Sequence, residues 1–510
     1  MKYQILIGGK AGQGINKISI FISKILAKRG YYVFNYRDYQ SLIRGGHNFN
    51  IVCFSDKKIS SCERKIDFLV CLDEKTEETH KKNLDKKGMI LRASEFENLK
   101  LDVNIALSIK LGKIFGISLE DFLDVSKEEF PNKENLIKEL FEKIKQEKKI
   151  ELKNQKKNIE LIDGSHAVAK GAFESGLDFF LAYPMTPATG LLNALIENHT
   201  KFSKPIVLQP ESEISVINMA LGISFAGNLT MIGTSGGGFD LMTEGLSFAG
   251  QSEIPIVVYL ASRPGPSTGV PTYTCQQDLN LALFSGHGEF PRVVLSPSNP
   301  EQAIKRINEA FYLTEKFKIP VIFLTEKHFA ESLFSVERFP SVEKIKIRRK
   351  IPGEFIVKAS SYEHNEKGET TEDEEEIKKG FERRLKKERE LLKEIEKLSP
   401  FEISGQKNSK NLIFCFGSTK NVIEDVVNYE NLDAKILQIV YLNPFSEKIK
   451  NEIKKAKNVF VVEENSTSQL SRLIKEKTGF EIPEKNRILK YNGRPFFYDE
   501  LKEILEEKMK

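Results

Sequence analysis

Short apolar runs alternate with longer stretches of helical periodicity along the chain, and the runs end again and again in glycine, proline or a small hydroxyl residue. Tyr3 to Gly9, Tyr32 to Asn35, Asn50 to Phe54, Phe68 to Asp73 and Met89 to Arg92 have the length and the aromatic or β-branched content of sheet strands. An amphipathic helix is predicted from Ile15 to Lys28, directly after a turn with glycines at 8, 9, 12 and 14. A second series of runs covers Leu177 to Ala182, Pro205 to Leu208, Leu229 to Thr234, Ile254 to Ser262 and Ile319 to Thr325, and a third covers Leu412 to Phe416, Ile436 to Leu442 and Val459 to Val462. This alternation predicts an α/β fold with parallel strands, and a length of 510 residues predicts about three domains. The boundaries read as 1–150, 160–345, a charged helical connection over 346–405, and 406–510. The Lys- and Asn-rich stretch from Lys145 to Glu160 reads as a linker. From Thr371 a capping box, with Ile377, Phe381, Leu385, Leu392 and Ile395 on one face, predicts a long surface helix ended by Pro400.

Composition narrows the function classes. Hydrophobic residues make up 40% and charged residues 29% of the chain, and 77 basic against 72 acidic residues are well mixed, which predicts a globular protein with no nucleic-acid footprint. No apolar run approaches the ~20 residues that span a bilayer, and Ile5-Leu-Ile7 is too short for a signal h-region, so the expected location is the cytoplasm with no membrane partner. Five cysteines without a Cys-x-x-Cys pair predict buried thiols rather than disulfides, and no metal ligands on this chain.

The candidate chemistry sits at strand ends. The run that ends at Ala182 is stopped by Tyr183-Pro184-Met-Thr186-Pro187, where two prolines stiffen the backbone around one hydroxyl. Thr186 reads either as a ligand-facing donor or as a helix cap. Glu213 opens a helix, Thr234 runs into Ser235-Gly-Gly-Gly238, and Ser262 runs into Arg263-Pro-Gly-Pro-Ser-Thr268-Gly-Val-Pro-Thr272. If these strands are parallel, Thr186, Glu213, Arg263, Thr268 and Thr272 converge beyond one edge of the sheet. The glycines at the start of the chain match neither the dinucleotide fingerprint nor a Walker loop, and they serve equally as a tight turn or as an anion contact at a helix start.

At these residues the chain resembles a known family. Tyr183-Pro-Met-Thr-Pro187, Glu213, Thr234 to Gly238, Arg263 to Thr272 and His287-Gly-Glu-Phe-Pro-Arg292 resemble the alpha subunit of 2-oxoacid:ferredoxin oxidoreductases. Gly8 to Ile15 with Arg44-Gly-Gly-His47 resembles that family's gamma subunit, here fused in front of alpha, and Glu463 to Leu470 with Tyr491 to Phe496 resembles the alpha subunit's C-terminal domain. The resemblance implies three α/β domains: gamma-type, thiamine pyrimidine-binding and transketolase C-terminal-like. It implies thiamine diphosphate shared with a beta subunit, Glu213 activating the cofactor with Tyr183 and Pro184 beside it, and Arg263, Thr186, Thr268 and Thr272 holding the 2-oxoacid. Gly9, Gly12, Gly14 and Arg44 are the implied contacts for CoA. Mg²⁺ and a [4Fe-4S] cluster are expected on the beta subunit, with ferredoxin taking the electrons. The implied activity is CoA-dependent oxidative decarboxylation of a 2-oxoacid or its reverse. The fused layout leans toward 2-oxoglutarate, with pyruvate, branched-chain or indolepyruvate substrates, or a non-catalytic scaffold, as alternatives. Two departures stand out: Ser165-His166 replaces the usual Asn-Glu, and Tyr273 and Cys275 stand where a basic and an acidic residue are common.

Overall fold

The computed structural model describes residues 1–40, 45–99, 102–145, 150–199, 205–347 and 349–509. The chain divides into two compact units, the first made of Met1–Ile162, Ser332–Arg338 and Phe497–Glu503, the second of Asp163–Glu331, Phe339–Phe496 and the residues from Ile504.

The first unit is built on a seven-stranded sheet. Its strand order is Leu84–Arg92, Ile66–Cys71, Lys2–Ala11, Gly45–Ser55, Tyr32–Asp38, Leu333–Val336 and Glu160–Asp163. Lys2–Ala11 runs parallel to Ile66–Cys71 and antiparallel to Gly45–Ser55, so this sheet is mixed. Gly45 to His47, which lie outside the strands read from the apolar runs, begin a strand, because the ladder with Lys2–Ala11 continues past a bulge to pair Ala11 with Gly45. Helix Ile15–Lys28 lies where its periodicity predicts and buries Ile18, Phe21, Ile22, Ile25 and Leu26. The presumed linker is tied down in its described part: Gln155 N–H donates to Arg29 O at 2.9 Å, and Arg29 Nη2 donates to Leu152 O at 2.7 Å.

The second unit holds two sheets. The larger has the order Ile206–Leu208, Phe179–Leu181, Thr230–Thr234, Ile256–Ser262, Pro320–Glu326, Val293–Leu295 and Tyr441–Asn443. All but the last are parallel. Ile256–Ser262 and Pro320–Glu326 are buried at every residue, as expected for central strands covered on both faces, and this is why they read as unbroken apolar runs. The smaller sheet has the order Phe401–Gly405, Lys435–Ile439, Asn411–Cys415, Asn458–Glu463 and Arg487–Leu489. Three sheets whose strands alternate with helices along the chain bear out the α/β class.

The surface helix forms over Glu374–Ile395, but its details differ from the pattern. Asp373 is the cap, accepting from Glu375 and Glu376 N–H, in place of Thr371. Its buried residues are Gly380, Arg384, Leu391 and Ile395, while Phe381 and Leu385 stay exposed. The helix turns a glycine inward because Gly380 sits against Glu363, whose carboxylate Arg384 holds at 2.8 Å.

Candidate active site

The site lies at the carboxyl ends of the parallel strands in the second unit. Phe179–Leu181 has Ile206–Leu208 on one side and Thr230–Thr234 on the other, so the chain order reverses across this strand and leaves a crevice there. Thr186 follows the strand at the crevice, Glu213 begins the helix after its one neighbour, and the glycine turn follows the other.

Glu213 is the first residue of helix Glu213–Phe225 and is 4% exposed. Ser212, not Glu213, caps this helix by accepting from Ser215 N–H at 3.3 Å. The carboxylate is therefore not consumed by capping, although it benefits from the positive end of the helix. Among the described residues its Oε1 is buried with no hydrogen-bond partner. An orphaned buried carboxylate oxygen is costly, and its place in the crevice asks for a donor or a protonated ring nitrogen from a ligand.

The glycines after Thr234 make room for it. Gly236–Asp240 is a short helix. A Cβ at Gly238 would lie 2.2 Å from Thr234 Oγ1 and 2.5 Å from Glu213 Oε1, so only glycine lets the carboxylate rest on the first turn. Gly236 is covered in the same way by the Asp278 carboxylate, whose two oxygens lie 2.9 Å from its virtual Cβ, and the carbonyl of Ser267 lies 3.8 Å from that of Gly237. The loop that carries Thr268 thus folds toward the glycine turn.

Arg263 leaves strand Ile256–Ser262 and donates from Nη1 to Thr186 O at 2.9 Å. Burial lowers the guanidinium pKa, while the charges of Asp278 and Glu213 oppose the shift. Among the described residues this bond uses a single donor of five, which leaves donors for an anion. Thr272 is buried and Thr268 exposed on the same loop; Gly269, at φ 53°, folds it back so that Val270 N–H donates to Pro264 O at 2.9 Å. Tyr183 and Pro184 are exposed at the rim. The structure therefore gathers Thr186, Glu213 and Arg263 about one crevice, with Thr268 and Thr272 on the loop from Arg263.

The C-terminal residues clamp this loop. Thr274 N–H donates to Gly493 O at 3.1 Å, Gln276 N–H donates to Glu464 O at 2.7 Å, and Arg494 lies 3.8 Å over the Tyr273 ring. Asn465 is a cap, as its type suggests, accepting from Thr467 and Gln469 N–H. Gln469 does more, donating to Gln277 O at 2.7 Å and accepting from Asn280 N–H at 2.9 Å. Asp278 is the site residue that sequence reasoning missed. Standing just before the apolar run Leu279 to Phe284, it reads as an ordinary helix cap.

In the first unit, Gly9 and Gly14 are closed by side chains of the chain itself: virtual Cβ atoms there meet Gln13 Oε1 at 2.6 Å and Asn104 Nδ2 at 2.2 Å. Gly12, at φ 93°, faces open space. Arg44 lies outside the described residues. His47 lies with its Nε2 2.8 Å from His80 Nε2; burial pushes both imidazoles toward neutrality, His80 to about 4.

Comparison with known proteins gives the family. Residues 4–175 match the family "Pyruvate ferredoxin/flavodoxin oxidoreductase", and residues 170–397 match "Pyruvate flavodoxin/ferredoxin oxidoreductase, thiamine diP-bdg". The 2-oxoacid:ferredoxin oxidoreductase subunit alpha of Sulfolobus sp is 31% identical across 99% of this chain and 96% of its own. The 2-oxoglutarate synthase subunit KorA of Archaeoglobus fulgidus is 31% identical across 61% of this chain and 89% of its own. The solved 2-oxoglutarate:ferredoxin oxidoreductase from Magnetococcus marinus, with 2-oxoglutarate, coenzyme A and succinyl-CoA bound, superposes over the full length of both chains with a TM-score of 0.89 and 25% identity. With both family segments present in order and the whole length matched, the chain belongs to the 2-oxoacid:ferredoxin oxidoreductases as an alpha subunit carrying their thiamine diphosphate-binding domain.

Proposed function

We propose that this chain holds the pyrimidine end of thiamine diphosphate and the carboxylate of a 2-oxoacid, and that a beta subunit completes the enzyme with the diphosphate site, Mg²⁺ and a [4Fe-4S] cluster that passes electrons to ferredoxin. The observation that carries this reading is the buried Glu213 Oε1, orphaned among the described residues and cradled by Gly238. Thiamine diphosphate, when bound, supplies a thiazolium carbon that adds to the oxoacid carbonyl and takes the electrons left as CO₂ departs.

The residues of this chain do the rest by position and proton control. Glu213 holds a proton between Oε1 and the pyrimidine ring nitrogen, which makes the neighbouring amino group a usable base. Arg263 pairs with the substrate carboxylate while its hold on Thr186 O fixes the guanidinium plane. The hydroxyls of Thr186, Thr268 and Thr272 are the donors proposed for the substrate's other oxygens, and Tyr183 and Pro184 form the rim beside the cofactor. In the first unit, Gly12 is the glycine whose backbone stands open to CoA. Gly9, Gly14 and Arg44 complete the proposed CoA set. The Archaeoglobus and Magnetococcus proteins are both named for 2-oxoglutarate, and that acid is the substrate proposed here.

The test is E213Q in the complex assembled with its beta subunit. Gln keeps the shape but cannot relay the proton, so hydrogen exchange at the thiazolium carbon should slow by roughly 10²–10⁴, with turnover falling alongside. Equal exchange rates in wild type and mutant would remove Glu213 from the cofactor. Viologen reduction measured acid by acid in the same complex tests the substrate.

A further inference from the structure

Asp278 occupies the cap position of helix Leu279–Phe284 but does not cap it. An aspartate there ordinarily accepts from the first-turn N–H groups. Here Asn280 N–H is taken by Gln469 Oε1 instead, at 2.9 Å. The Asp278 carboxylate turns the other way and lies against Gly236, and its Oδ2 is buried with no hydrogen-bond partner among the described residues. The titratable groups that face it are Arg263 on the strand end, Asp240 at the end of the glycine helix, and Cys275 on its own loop, with the Ser262 hydroxyl beside it. Arg263 and Asp278 feel each other's charge without forming a contact ion pair. Burial pushes the Asp278 carboxyl up to about 6, with Asp240 adding to the rise and Ser262 and Arg263 opposing it.

We infer that Asp278 is a positioning residue that couples 2-oxoacid binding to proton uptake. When the substrate carboxylate settles on Arg263, a proton from solvent goes onto Asp278, so that one half-buried guanidinium is not shared by two anions. The proton returns to solvent once the carboxylate has left. The reason is elementary: Arg263 is the cation that helps keep Asp278 ionised, and a second carboxylate on Arg263 cancels that help and adds a like charge nearby. The substrate then meets a donor O–H on Asp278 in place of a repelling carboxylate. This inference rests on the proposed placement of the substrate on Arg263.

The experiment uses the assembled complex. Calorimetric titration with 2-oxoglutarate, in two buffers of different ionisation heat at pH 7.5, should show close to one proton taken up per substrate bound. The substrate Kd should weaken about tenfold per pH unit from pH 6.5 to 8. D278N, of the same shape and always neutral, should bind with no proton uptake and a flat Kd over that range. Absence of uptake in the wild type, or the same uptake and slope in D278N, overturns the inference. R263A separates it from the reading beneath: it should lose at least tenfold in substrate affinity. An R263A affinity equal to wild type overturns both, whereas a weakened R263A beside an unchanged slope in D278N overturns only the role of Asp278.

Discussion

Single atoms decide what the crevice can hold. A methyl at Gly238 would have to displace both Thr234 and the Glu213 carboxylate, and overpacking of this kind costs about 1–3 kcal/mol. G238A should therefore lower the denaturation midpoint of the isolated chain and, in the complex, depress turnover further than the stability loss explains. Its neighbour is the control: a Cβ at Gly237 meets only Ser267 O at an ordinary 3.8 Å, so G237A should leave the unfolding free energy within about 0.5 kcal/mol of wild type. Denaturant melts of the two variants check both statements. Thr186, Glu213 and Arg263 were legible in the sequence because each stands at the end of an apolar run, where a parallel sheet gathers its loops. Asp278 was not, because the residue that releases it from capping, Gln469, comes from 191 positions further along the chain.

Elements are joined by buried polar groups whose charge depends on pH. Glu326 ends strand Pro320–Glu326, is 1% exposed, and accepts the Ser418 N–H at 3.0 Å just ahead of helix Thr419–Tyr429. Burial pushes its carboxyl up to about 7, against the hydrogen bond from the Ser418 N–H. An unfolded glutamate titrates near 4.3. The folded chain thus binds the extra proton between those values, so this group's contribution is full below about pH 4 and is lost as pH rises through about 7, a few kcal/mol at most. E326Q should remove that slope: its Tm relative to wild type should climb from pH 5 to 7 and level off above. A parallel pH dependence in both proteins would assign the slope elsewhere. Strands and helices with a clean period were legible at this scale. The departures share a cause, which is that partners distant in sequence override local pattern: the ladder to Lys2–Ala11 draws Gly45 to His47 into a strand, and the Glu363–Arg384 pair turns Gly380 inward.

For the whole molecule, the division of labour makes a direct prediction. The purified chain should be colourless and without turnover, and 2-oxoacid-dependent viologen reduction should appear only on adding the beta subunit. Stoichiometric iron on the isolated chain, read from its absorbance and metal content, would contradict the proposed assignment of the cluster to beta. All five cysteines are buried thiols outside any disulfide, with Cys53, Cys62 and Cys71 in the first unit and Cys275 and Cys415 in the second. A thiol reagent can reach each of them only when its surroundings open. The chain therefore carries its own clock. Pulses of an alkylating reagent followed by peptide mass analysis would time the opening of the two units separately, and Cys275, flanked by Thr274 and Gln276 in the clamped loop, would report when that loop lets go without any label being engineered in.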